Sequence, residues 1–167
     1  MVKKYKVESN VVIENARIIF RNFSGKEGRY NPAGQRNFAL LLEPDIAETL
    51  KKDGWNVKYL KPREEGDPEQ AYMKVNVAYG GPRDPEIILI AESGKRHLYE
   101  ETVSMLDWAD VKTIDMIISP YNWEVAGKSG VAAYLRKMYI TIIEDELASK
   151  YNIAPGDVED DAPPWVN

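Results

Sequence analysis

Residues 114–125, IDMIISPYNWEV, and 131–143, VAAYLRKMYITII, are two long apolar-rich segments separated by the glycine-bounded stretch 126–130, AGKSG. Their β-branched and aromatic content and the turn between them predict two long antiparallel strands closed by a basic hairpin, with Pro120 at an edge or bulge. The same pattern extends outward. Residues 71–79, AYMKVNVAY, alternate, with Met73, Val75, Val77 and Tyr79 on one face and Tyr72, Lys74, Asn76 and Ala78 on the other. Val11–Phe20 reads as a first strand, Arg36–Glu43 as a second, Trp55–Leu60 as a strand, and Glu86–Ala91 as a continuation of the sheet, with a hairpin tip at 93–96.

Helical signals are few. Pro44–Glu48 opens a short helix, with Asp45 as N-cap, Glu48 as its capping-box partner and Gly54 as the stop. Val103 and Leu106 mark a second short helix within 102–109. Several strands, one or two short connecting helices and no βαβ alternation predict a mainly β fold, an OB-fold-like antiparallel barrel or highly curved sheet.

Composition sets the limits on function. The 167 residues, 44% of them hydrophobic, suffice for one domain, placed at 1–150. Residues 151–167 read as a flexible acidic tail, since 157–167, DVEDDAPPWVN, hold four acids, no base and two prolines. The chain carries 22 Lys+Arg against 27 Asp+Glu; without Asp157, Glu159, Asp160 and Asp161 the balance is 22 to 23, so most of the net charge of −5 resides in the tail. The body is then judged by its local patches. Cysteine is absent and His97 is the single histidine, which excludes thiolate chemistry and two-histidine metal sites; no cofactor or metal is expected. No apolar run approaches membrane-spanning length, and Lys3, Lys4 and Lys6 precede no apolar export segment, so a soluble, cytoplasmic protein is expected.

Two constellations carry chemistry. The first is basic and aromatic: Arg17, Phe20, Arg21, Phe23, Lys26, Arg29, Tyr30, Arg36 and Phe38, spread over two strands and a long glycine-rich loop, 22–35, read as flexible. Cations that follow phosphates and flat rings for unstacked bases are what single-stranded nucleic acid requires. The second is Tyr121 and Trp123 on one strand with Lys128, Tyr134 and Arg136 beyond the turn, which on paired strands form a stacking platform or equally a core. Enzyme readings lack a nucleophile with a base beside it, and neither glycine-lysine turn has P-loop spacing.

These parts, FRNF at 20–23, GQRNF at 34–38, PYNW at 120–123, GKSG at 127–130 and AYL at 133–135, resemble the bacteriophage single-stranded-DNA-binding proteins with an OB-fold and acidic C-terminal tail. The resemblance implies a groove that binds single strands with little sequence preference during phage DNA replication and recombination, in the bacterial host cytoplasm. It also implies a tail that recruits replication or recombination proteins and competes with DNA, with Trp165 as its apolar anchor. The tail is similar to the bacterial pattern except that Val166 and Asn167 follow the aromatic. The alternative is an RNA-binding or protein-interaction OB module without preference for single-stranded DNA, and a phage structural protein is a third reading. The oligomeric state is left open, a homodimer included.

Overall fold

The computed structural model describes residues 9–29 and 31–144; Tyr30 and the whole acidic tail, Asp157, Glu159, Asp160, Asp161 and Trp165 included, lie outside them. The described strands are β1 (Val11–Ile13), β2 (Arg17–Asn22), β3 (Arg36–Leu42), β4 (Lys58–Leu60), β5 (Gln70–Val77), β6 (Glu86–Ala91), β7 (Gly94–Leu98), β8 (Val111–Val125) and β9 (Lys128–Ile142). Helix α1 spans Pro44–Asp53 between β3 and β4, and a 3₁₀ turn, Val103–Asp107, precedes β8. The fold is mainly β, as the sequence predicts.

Strand order is β1-β8-β9-β5-β3-β2. The two end strands are consecutive in the chain, joined by residues 14–16, so the sheet wraps until its ends meet through covalent connection. No ladder joins β1 to β2 among the described residues, and the wrap stays open rather than closing as a barrel. What was expected as one strand over Val11–Phe20 is thus two. Asn15 turns the chain at φ 51, a conformation its short polar side chain tolerates, and its amide donates to Asp115 Oδ1 at 2.9 Å. The expectation of a purely antiparallel sheet is also corrected. One edge of β9 pairs antiparallel with β8, while the other pairs parallel with β5 and then with β6.

The alternation read in 71–77 holds: Ala71, Met73, Val75 and Val77 are buried while Tyr72, Lys74 and Asn76 face away from the core. Phe38, Leu40 and Leu42 of β3 lie opposite Val75, Met73 and Ala71 on the same inner face. In β9 the inner residues Val131, Ala133 and Leu135 are followed by Met138, Ile140 and Ile142, with two residues rather than one between Leu135 and Met138. A bulge accounts for this, since Ile118 pairs with Leu135 and Ile117 with Lys137, leaving Arg136 as the extra residue. Without the bulge every inner residue beyond it would turn outward. Each fully buried Ile, Leu or Met of this core stabilises the fold by about 1.5–3 kcal/mol.

Local signals are partly corrected. Glu43, not Asp45, is the N-cap of α1, with no side-chain cap bond and Pro44 in the first turn; Gly54 ends the helix in the left-handed conformation. The second short helix is the 3₁₀ turn, which buries Val103 and Leu106. Of the stretch 55–60, only Lys58–Leu60 forms a strand, and Trp55 is buried in the core, bridging Val131. Pro120 lies past the end of the β1 pairing, where one edge of β8 carries no partner strand among the described residues, as a residue without an N–H requires. The tip of β6–β7 is Glu92–Ser93, with Gly94, Lys95 and Arg96 already in strand.

The β8–β9 turn is shorter than the glycine-bounded stretch 126–130 implied. Val125 pairs with Lys128, and Ala126 and Gly127 alone make the turn at φ 53 and 80, the signs of a type I′ hairpin. An alanine in that conformation is strained by roughly 1 kcal/mol. Ala126→Asn is therefore expected to raise the unfolding free energy by about 0.5–1 kcal/mol in urea titration; an unchanged or lower midpoint would show that the turn carries no such strain.

Candidate nucleic-acid interface

Beyond Ile118 the β8–β9 hairpin keeps a core side and a free side. Paired residues of an antiparallel ladder share a face, so Tyr121 with Ala132, Trp123 with Gly130, Ser119 with Tyr134 and Val125 with Lys128 lie on the side opposite the buried Val131, Ala133 and Leu135. Tyr121 is 58% exposed and Trp123 37%, which removes both from the core. The rings are arranged by their neighbours. Tyr121 meets Tyr134 edge to face, centroids 5.8 Å apart, and Trp123 lies so close over the partner strand that a Cβ on Gly130 would sit 2.7 Å from its Cζ2. The Arg136 bulge turns two successive cationic side chains, Arg136 and Lys137, off the core side, and Lys137 also pairs with Glu86 at 3.7 Å. A hydrogen bond to Tyr139 and, after it, the carboxylate of Glu86 hold the Lys137 ammonium above its usual range.

The free side continues across the sheet. Tyr134 registers with Asn76, Asn76 with Asn37, and Asn37 with Asn22, a row that crosses β9, β5, β3 and β2. Asn76 Nδ2 donates to the Ala133 carbonyl at 3.2 Å, pinning β5 to β9 where the two strands pair. Lys74, exposed and one step along from Asn76 on this face, joins the cations. Its position was legible in the alternation of 71–79, but its neighbourhood to Tyr134 depends on the β5–β9 register and had no signal in the sequence.

The basic–aromatic constellation of 17–38 does not form one site. Phe23 is fully buried and stacked on Phe38 at 5.4 Å, so it is core and meets no base. Arg21 is half-buried, its Nη1 donating to the carbonyls of Leu106 at 3.0 Å and Ala109 at 2.8 Å, which ties β2 to the 3₁₀ turn. Arg36 continues the inner row of β3. Its guanidinium lies 5.5 Å from the Tyr79 ring and 3.4 Å from Glu100, and its side chain is 19% exposed. Burial pushes the Tyr79 phenol up to about 12, against the lowering effect of Arg36. Both arginines are half-buried and held by contacts within the protein.

Arg17, Lys26 and Arg29 are exposed. The loop that carries Lys26 and Arg29 is internally bonded rather than open: Asn22 Oδ1 accepts from the Lys26 amide at 2.8 Å, and Asn31 Nδ2 donates to the carbonyls of Lys26 and Gln35 at 3.0 Å each. Gly25, at φ 72, permits the contact of the two loop arms, for a Cβ there would meet the Gly34 backbone at 3.2 Å. His97 is exposed on β7, as a lone hairpin histidine is expected to be.

A groove of about 730 Å³ runs between α1, the 14–16 turn and the start of β5. Glu14, Glu43, Glu48 and Glu69 line it against Arg17 and Lys51, a charge balance that repels phosphate.

An open β wrap with a helix between its third and fourth strands and an exposed aromatic hairpin places the molecule in the OB-fold-like class. Residues 1–162 match the family model described as "Putative phage ssDNA-binding domain", and the chain belongs to that family. Among solved structures it is similar to the single-stranded DNA-binding protein from bacteriophage Enc34 in complex with ssDNA, at 12% identity and a TM-score of 0.53, covering 82% of this chain and 88% of that one. A C-terminal truncation of the Enc34 protein gives 12% identity and a TM-score of 0.51, covering 82% and 86%. No curated protein matches the chain by sequence.

Because Trp123 occupies the space a side chain at 130 would need, Gly130→Ala is expected to lift the indole off β9. The Trp123 indole N–H resonance should shift, and its quenching by acrylamide should rise. A resonance and quenching identical to those of the parent would mean that the ring is not held against the strand.

Proposed function

We propose that this phage ssDNA-binding protein takes up single strands, with little sequence preference, along the free side of β8–β9 and the adjoining outer face of β5. Tyr121, Trp123 and Tyr134 stack on bases, while Lys74, Lys128 and Arg136 steer the phosphates. The observation that carries this reading is the exposure of Tyr121 and Trp123 on the side of the hairpin away from the core, with cations on the same strands. Stacking on exposed rings is indifferent to base identity, and unstacked bases are available only in single strands. Arg17, Lys26 and Arg29 extend the cationic surface at the other end of the sheet. Arg21 and Arg36, held by carbonyls and by Glu100, position the strands and make no phosphate contact in this reading.

The tail, residues 157–167, acts in trans and in cis. Its four acids compete with DNA for the cationic face, and Trp165 with its neighbouring acids docks replication or recombination proteins in the host cytoplasm. A near-neutral body beside an acidic segment supports the competition, since the local attraction between them does not depend on the total charge.

Fluorescence anisotropy with an oligo-dT of about 30 nucleotides, against a duplex and an oligo-rU of equal length, tests the reading. Salt-sensitive binding that favours dT is expected. Trp123→Ala should weaken it by about 1–3 kcal/mol with the fold intact, and Lys128→Gln should lower the salt slope by about 0.7. Equal affinity for rU would move the protein to the RNA-binding reading, and an unaltered slope would return Lys128 to the solvated surface. Deletion of 157–167 is expected to tighten dT binding in matched buffer; unchanged or weaker binding would remove the competition.

A further inference from the structure

Phe20 stands out from the rest of β2. It is 68% exposed although it lies in an apolar strand, and its φ is 52, in the left-handed region that an aromatic residue rarely adopts. It occupies the irregular stretch between Ile19 and Asn22, where the β2–β3 register slips. In bulges of this kind the left-handed position is ordinarily glycine. The chain that follows it is clamped. Arg21 Nη1 is held by the carbonyls of Leu106 and Ala109, and the carboxylate of Asp107 accepts from the amides of Phe23 at 2.6 Å and Ser24 at 3.3 Å. The clamp therefore fixes a strained backbone and leaves the Phe20 ring in solvent.

The other half of the clamp carries a second exposed ring. Trp108 lies between Asp107, which accepts from Phe23 and Ser24, and Ala109, which accepts from Arg21, and is 72% exposed. Neither ring contributes to the core. A strained backbone that places an aromatic ring in water, when a glycine would relieve the strain, points to a ligand for the ring.

We propose that Phe20 and Trp108 form a second stacking site for bases of the same single strand, at the β2 end of the sheet. The proposal rests on the reading of the outer face given above. Ile19 and Asn22, which flank Phe20, register onto Ala39 and Asn37, and Asn37 leads through Asn76 to Tyr134. The bulge thus stands at one end of the row whose other end is the hairpin platform. From β8 to β2 is four strand spacings, about 19 Å along the sheet. A single strand that follows the row would meet rings at both ends, with the amide-bearing row and Lys74 between them.

Phe20→Gly separates this role from a structural one, because glycine removes the ring and the backbone strain together. The variant is expected to unfold at an equal or higher urea concentration than the parent while binding oligo-dT of about 30 nucleotides roughly five- to one-hundred-fold more weakly, as loss of one stacked base predicts. Phe20→Tyr should bind as the parent does, and Trp108→Ala should weaken binding in the same range. Parent-like affinity in both Phe20→Gly and Trp108→Ala, with Trp123→Ala impaired in the same assay, would overturn the second site and leave the hairpin reading standing. No binding by the parent protein would overturn both. A change in sedimentation of Phe20→Gly without DNA would assign the rings to self-association instead and overturn the proposal.

Discussion

Strand β9 is the member on which the rest of the molecule depends. Its backbone is paired to β8 along its whole length, and on the other edge to β5 at 133–134 and to β6 at 137–141. A strand held on both edges to either side of an irregularity can carry a bulge without losing its place, and the bulge at Arg136 lets one continuous segment do two things. Up to Leu135 its inner face closes the core beside β5; beyond Met138 it does so beside β6, and the two cationic side chains at the irregularity are forced outward. The core of the wrap and the cations on its surface come from one feature of backbone geometry.

The hairpin shows how exposed aromatic surface and stability are divided between the faces of a single ladder. Val131, Ala133 and Leu135 keep the inner side buried, so the outer side can hold rings that stability does not need. Gly130 gives room for Trp123 to lie flat, and Tyr121 rests edge-on against Tyr134. Rings held by their neighbours lose less freedom when they meet a ligand than rings on open loops, and such preorganisation turns exposed aromatic area into affinity.

Arginine fares differently. Of the basic residues between 17 and 36, two are half-buried against the protein: Arg21 donates to carbonyls at the end of the 3₁₀ turn, and Arg36 sits between Tyr79 and Glu100. A guanidinium has five donors in a planar fork and binds a carbonyl cluster as readily as a phosphate. Composition alone does not distinguish the two uses. Phe23, next to an exposed loop in sequence yet fully buried, is the aromatic counterpart.

What the sequence by itself determined is what depends on local pattern. The alternation of 71–77, the long apolar segments on either side of 126–130 and the glycine stop at 54 all follow from side-chain periodicity and turn chemistry within a few residues, and with them the mainly β class and the resemblance that the family match bears out. The tertiary structure decided everything that depends on register between distant strands. It split Val11–Phe20 at Asn15, set β9 parallel to β5 and β6, left the wrap open, brought Asn22, Asn37, Asn76 and Tyr134 into one row, and sent Phe23 inward and Phe20 outward. The physical reason is that a one-residue slip or bulge reverses the face of every side chain beyond it, and the contacts that choose the slip, such as Arg21 on Ala109 or Asn76 on Ala133, join residues dozens of positions apart.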